Sequence, residues 1–193
     1  WYQKIYHPAN MDQRTVEDMT EEIVRDITEG VDETGIRAGI IGEVGIEGDP
    51  LTENEIKSIR ASARASKATG AAISFHRGGN DREEKLRVAG IVADESVDPS
   101  RVIFGHSDFV AHDVDLLLDL LRTGVYVQFD IIGRLGITIP WDTSSRVQMA
   151  AAGQLRTNTV AEAIPMLIEA GYAGRILLSH DVAYKVHLKR HGG

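Results

Sequence analysis

The 193-residue sequence predicts an α/β fold, an incomplete (β/α)8 barrel forming one domain over residues 1–193. Three observations carry this. Apolar strands alternate with amphipathic helices five times along the chain, which implies parallel strands joined by crossovers. Four of those strands end in a side chain of metal-binding type, Glu43, His76, His106 and Asp181, and a barrel gathers its chemistry at the carboxyl ends of several strands. No strand is followed by the G-x-G-x-x-G turn that an open doubly wound sheet normally carries. An open-sheet dinucleotide-binding enzyme is thus the weaker architecture; it predicts nucleotide affinity and metal-independent activity.

Each element follows from its own signals. Residues 1–14 read as a loop broken by His7-Pro8, with Trp1-Tyr2 as the tip of a further strand. Thr15 caps a helix whose apolar residues Val16, Met19, Ile23 and Ile27 recur at three- and four-residue spacing, with acids near its positive end and Gly30 as its stop. Strand 37–45 carries Glu43 inside an apolar and glycine run, where an ionised carboxylate is expected to be buried and to need a cation. Thr52 and Glu55 stand as a capping box for a helix that runs to Gly70. Strand 71–76 ends in His76, and the charged helix from Asp81 to about Ala93 is expected to cover the outside. Asp98-Pro99-Ser100 turns the chain into strand 101–106, which ends in His106. The leucine-rich helix 114–121, strand 125–130 ending in Asp130, helix 157–170 and strand 175–181 ending in Asp181 complete the pattern. A typical barrel has eight strands and about 250 residues, so the first strands and the last helix are expected to lie outside this chain.

Composition narrows the partners. A net charge of −8 argues against a nucleic-acid partner, which would draw on clustered Lys and Arg. The chain lacks cysteine, so any metal must be held by histidine and carboxylate, the ligands zinc accepts when thiolates are unavailable. The missing cysteines fit a reducing compartment, no apolar run is long enough for a membrane span, and a cytoplasmic location is expected. A small-molecule substrate is expected; barrels of this kind often pair, which leaves a homodimer open.

The residues quoted next carry a family resemblance. Thr34 to Ile41 leading to Glu43, Ser74-Phe75-His76, Ser100-Arg101-Val102 through Gly105-His106-Ser107-Asp108, Tyr126 to Asp130, and Ser179-His180-Asp181 together span nearly the whole chain. In that order they resemble the phosphotriesterase-related family of the amidohydrolase superfamily. The resemblance implies a binuclear metal centre, usually zinc, at the mouth of a TIM barrel. His76 and His106 would hold one metal. Asp181 would hold the other together with an H-x-H pair from the first strand, and would act as the catalytic proton acceptor. The bridging anion, a carbamylated lysine in the phosphotriesterases proper, would be Glu43, as in the homology-protein branch. The seven histidines of this chain include no H-x-H; were the chain the entire molecule, the centre would be mononuclear or empty, and the chain is read as partial.

Function follows from that implied centre. The expected activity is a metal-dependent hydrolase using a metal-activated hydroxide to cleave an ester, lactone or amide bond. Glutamate in place of the bridging lysine leans away from an organophosphate triester hydrolase, which stands as one alternative. A catalytically silent truncated barrel acting as a binding module is the other. Zn2+ is the first choice, with Mn2+, Co2+ and Fe2+ accepted by the same ligand types. Trp1, Tyr2, Asp108, Asp130 and Trp141 are candidate substrate contacts.

Simpler readings stand beside these. A lone strand-end histidine is more often a satisfied core histidine, Glu43 would also pair with Arg37 or Arg77, and Asp181 would also serve as a cap. His180 is expected to point away from Asp181 by strand alternation. The basic run Lys185 to His191 reads as a solvated loop before it reads as an anion site.

Overall fold

The computed structural model describes residues 1, 4–48, 50–77, 81–132 and 157–191. Ten regular elements alternate there: α1 (Val16–Thr28), β1 (Ile41–Gly45), α2 (Glu53–Thr69), β2 (Ile73–His76), α3 (Arg82–Asp94), β3 (Val102–Phe104), α4 (Val114–Arg122), β4 (Tyr126–Phe129), α5 (Thr157–Glu169) and β5 (Ile176–Leu178). The segment read as a loop before α1 contains two short 3-10 turns, Lys4–Tyr6 and Met11–Gln13. Met11 is buried there against Met19 and Ala61.

All five described strands are parallel and lie in sequence order, β1-β2-β3-β4-β5. A doubly wound sheet reverses its strand order, and this sheet does not, so the barrel-type succession holds. Because parallel strands all point one way, their C-terminal ends share one rim. The register sets Gly45 beside His76 and Phe75 beside Phe104. Glu43, two residues before Gly45, and His106, two after Phe104, therefore approach the same stretch of that rim.

The core forms where the strands meet the helices, with Ile73, Phe75, Val102, Phe104, Val127 and Phe129 packed against Ile59, Val88, Leu117 and Leu120. The helices begin where the sequence places their caps. Thr15 and Thr52 each close a reciprocal capping box, and the Asp81 and Asp113 side chains accept from Glu84 N and Leu116 N. Gly70 ends α2 with φ of 76°, a left-handed conformation that glycine adopts without a Cβ penalty.

Two expectations about burial change. The strand holding Glu43 is not covered on both faces: the Glu43 side chain is 40% exposed, because it stands at the open rim of the sheet. Helix α3 is not purely a charged outer cover, since Lys85 and Glu84 are buried. No described helix is long and apolar enough to cross a membrane.

Glu55 holds down the loop that leaves β1. Its carboxylate accepts from Glu47 N at 2.6 Å, Gly48 N at 2.7 Å, Thr52 N at 2.8 Å and Thr52 Oγ1 at 2.7 Å. Burial pushes its carboxyl pKa up, but these hydrogen bonds outweigh burial and hold it below its ordinary value of 4.5. The unfolded chain then takes up the proton first, so the stability these bonds give is present above pH 4.5 and is lost as pH falls through the folded value. Glu55→Gln is expected to cost about 1–3 kcal/mol at pH 7, with the gap to wild type closing as urea unfolding is repeated toward pH 3. A gap that does not change with pH would show that Glu55 contributes packing alone.

Candidate metal site

Glu43, His76 and His106 converge at the rim. Each offers a ligand atom, and these atoms lie within 4.8 Å of one another. The two imidazole rings stand edge to face, centroids 4.7 Å apart and planes at 86°. His106 Nε2 faces Glu43 Oε1 at 3.9 Å. Both histidines are buried, whereas the partly exposed Glu43 keeps the site open to solvent.

The neighbouring strand fixes the ring of His106. Asp130, just past β4, lies with Oδ1 2.5 Å from His106 Nδ1, while its Oδ2 accepts from His106 N at 3.0 Å and from Gln128 Nε2 at 2.8 Å. Asp130 N donates in turn to Asp108 Oδ2 at 2.8 Å. Burial pushes the Asp130 carboxyl up, but the hydrogen bonds from His106 and Gln128 hold it net below its ordinary value. Asp130 is therefore a carboxylate, the His106 proton belongs on Nδ1, and the Nε2 lone pair is left pointing toward Glu43. Burial raises Asp108 to about 6, with the charge of Asp130 adding to the rise.

His106 reaches this position through a tight backbone approach. It has a left-handed φ of 49°, and the preceding Gly105 N–H donates to Phe75 O at 3.0 Å. A Cβ on Gly105 would lie 2.8 Å from Phe75 O and 3.5 Å from Asp130 Oδ2. The backbone oxygen cannot move aside as a flexible side chain would, so only glycine fits.

The donor set fits a divalent cation. Two imidazoles and a carboxylate are among the three-ligand sets of catalytic zinc, which leave a coordination position open. Ligand atoms bonded at about 2.0–2.2 Å in a tetrahedral site stand about 3.3–3.6 Å apart. The three atoms here lie within 4.8 Å of one another, so they would draw together by up to about 1.5 Å around an ion.

The other predicted residues fall elsewhere. Asp181 lies outside the 4.8 Å group: it follows β5, two strands from β3 and at the opposite edge from β1, and has a left-handed φ of 46°. His180, two residues past the end of β5, has its Nδ1 2.9 Å from Ile132 O. The carboxylates of Asp108 and Asp130 engage the His106 network described above. Trp1 O accepts from Gly45 N at 2.9 Å, beside the free edge of β1, and Trp1 lines a cavity of about 250 Å3 together with Ile40 and Glu43. Tyr2 and Trp141 lie outside the described residues. Sequence reading missed Gln128 and Lys85. Lys85 is spaced with Val88 and Val92 on one helical face, a periodicity that marks it as inward-facing.

A sequence model of the phosphotriesterase family matches residues 1–193. The chain belongs to the phosphotriesterase family. Among phosphotriesterase-family relatives, an N-acetyltaurine hydrolase of Dictyostelium discoideum is 40% identical over 179 residues, 93% of this chain and 46% of the relative. The phosphotriesterase homology protein of Escherichia coli is 32% identical over 193 residues, all of this chain and 59% of the relative. A crystal structure of the Escherichia coli phosphotriesterase homology protein, complexed with phosphate in its active site, superimposes with a TM-score of 0.82 at 30% identity, over all of this chain and 60% of that one. The chain thus spans about half the length of the curated relatives it matches, and its five parallel strands form part of a phosphotriesterase-like TIM barrel.

Gly105→Ala is expected to destabilise the chain by about 1–3 kcal/mol through overpacking, read from the urea midpoint. Stability equal to wild type would mean that β3 leaves the sheet with more room than the contact to Phe75 O implies.

Proposed function

We propose that the protein is a metal-dependent hydrolase of N-acyl amides or related carboxylic esters and lactones, with Glu43, His76 and His106 holding a divalent cation, zinc by preference. The observation that carries this reading is the pairing of His106 Nδ1 with Asp130, which turns Nε2 toward Glu43. The amide preference draws support from the N-acetyltaurine hydrolase relative and from a glutamate, rather than a lysine, in β1.

A divalent cation in such a site lowers the pKa of bound water and polarises a carbonyl oxygen. The chain's own side chains do the rest. His76 and Glu43 fix the ligand geometry with His106, and Asp130 holds the ring of His106 in one tautomer, with Asp108 bracing the backbone of Asp130. Asp181, three residues past β5, would take the proton of the attacking water and pass it to the leaving amine or alkoxide. Trp1 supplies an apolar wall beside Glu43.

Zinc titration of the chain is expected to give about one tight equivalent, with His76→Ala and His106→Ala each weakening binding by more than about 100-fold, beyond the effect of losing an outer-shell partner. Far less than one equivalent would favour the silent-module reading. For the full-length protein, hydrolysis of N-acyl amides is expected to exceed that of phosphotriesters. Equal or faster triester turnover would overturn the substrate assignment.

A further inference from the structure

We infer that Lys85 is a positioning residue for the His76–His106 pair, clamping the turn after His76 against the strand that leads to His106. The inference rests on the cation-site reading above, and its test separates the two.

Lys85 is 1% exposed. It sits on the inward face of α3, one turn before Val88, which is fully buried, so its long stem runs through the core. Its Nζ donates to the carbonyl oxygen of Arg77, the residue directly after His76. Arg77 has a left-handed φ of 67°, a conformation that a non-glycine residue keeps only when its surroundings hold it there. The same Nζ lies 5.9 Å from the centroid of Phe104, the last residue of β3 and two before His106. Lys85 thus touches the exit of one ligand strand and the end of the other.

The side chain of Arg77 completes the connection. Its guanidinium carbon stands 4.9 Å above the Phe109 ring, and that ring meets His106 edge-on at a centroid distance of 6.2 Å. Arg77 is therefore held at its carbonyl by Lys85 and at its guanidinium by Phe109, and the placement of Arg77 sets the peptide bond through which it follows His76. A core ammonium is a costly way to fill space, and burial drives the Lys85 pKa down to about 7, with the charge of Arg77 adding to the effect. A methionine would occupy the same volume without that cost, so the residue's distinguishing feature is its hydrogen-bond donor.

Three variants test this: Lys85→Met, which keeps the stem and removes the donor; Lys85→Arg, which keeps a donor; and Val88→Ala, which opens the same core face without touching the turn. Two readouts are taken on each: zinc affinity by competition with a chromophoric chelator, and the NMR resonances of the His76 and His106 rings in the metal-free chain. Lys85→Met is expected to weaken zinc binding about tenfold or more and to shift the His76 ring resonances, with Lys85→Arg recovering part of both. Val88→Ala lowers the melting temperature and leaves both readouts in place. The inference is overturned if Lys85→Met keeps zinc affinity within about twofold, well short of the loss expected for an outer-shell partner, and leaves the ring resonances unmoved, or if Val88→Ala reproduces its effects. If the wild-type chain binds no zinc while Lys85→Met still moves the His76 ring, the cation reading fails and the positioning role stands.

Discussion

The contact on which the site depends is the one between Asp130 and His106, 2.5 Å from oxygen to ring nitrogen and closed off from solvent. A charge-assisted hydrogen bond in a low-dielectric interior is strong and directional, and it settles the imidazole's tautomer and tilt together. Remove the carboxylate, and the ring would be free to carry its proton on either nitrogen. The rest of the neighbourhood serves that contact: Gly105 lets the backbone come close, Gln128 braces the second carboxylate oxygen, and Asp108 holds the Asp130 N–H.

Sheet topology then decides what the oriented ring can meet. Parallel strands in sequence order bring residues from β1, β2 and β3 to a single rim without any of them being near in sequence. That rim combines opposite demands. The histidines are buried among apolar strands, which holds them in place, while Glu43 is partly exposed and leaves the site open to solvent. Family membership agrees with this arrangement: the family match covers residues 1–193, and a homologous solved structure superimposes with a TM-score of 0.82.

Much of this was legible in the residues, for identifiable reasons. Hydrophobic spacing with the caps Thr15 and Thr52 marked α1 and α2, and apolar runs marked the described strands, because local propensity and tertiary packing agree there. His76 and His106 stood out as polar ends on apolar strands. Glu43 stood out too, yet it is partly exposed and not buried, because a run of isoleucine and glycine does not say where a strand emerges from cover. The part of Asp130 was only half legible: its strand-end position flagged it, but which neighbour it would grip depends on the pairing of β3 with β4. Lys85 was hidden in the charged run Arg82-Glu83-Glu84-Lys85, where charge masked an inward-facing helical position. The place of Asp181 relative to the other three depends on how far the sheet curves round, which no local pattern encodes.

The central claim is that one ion draws ligands from three strands, two of them imidazoles. X-ray absorption at the zinc edge of the zinc-loaded chain tests it most directly. The account predicts a shell of nitrogen and oxygen at about 2.0–2.1 Å with the outer-shell scattering of two imidazoles, reduced to one in His106→Ala. A shell without imidazole scattering, or one that His106→Ala leaves unchanged, would contradict it.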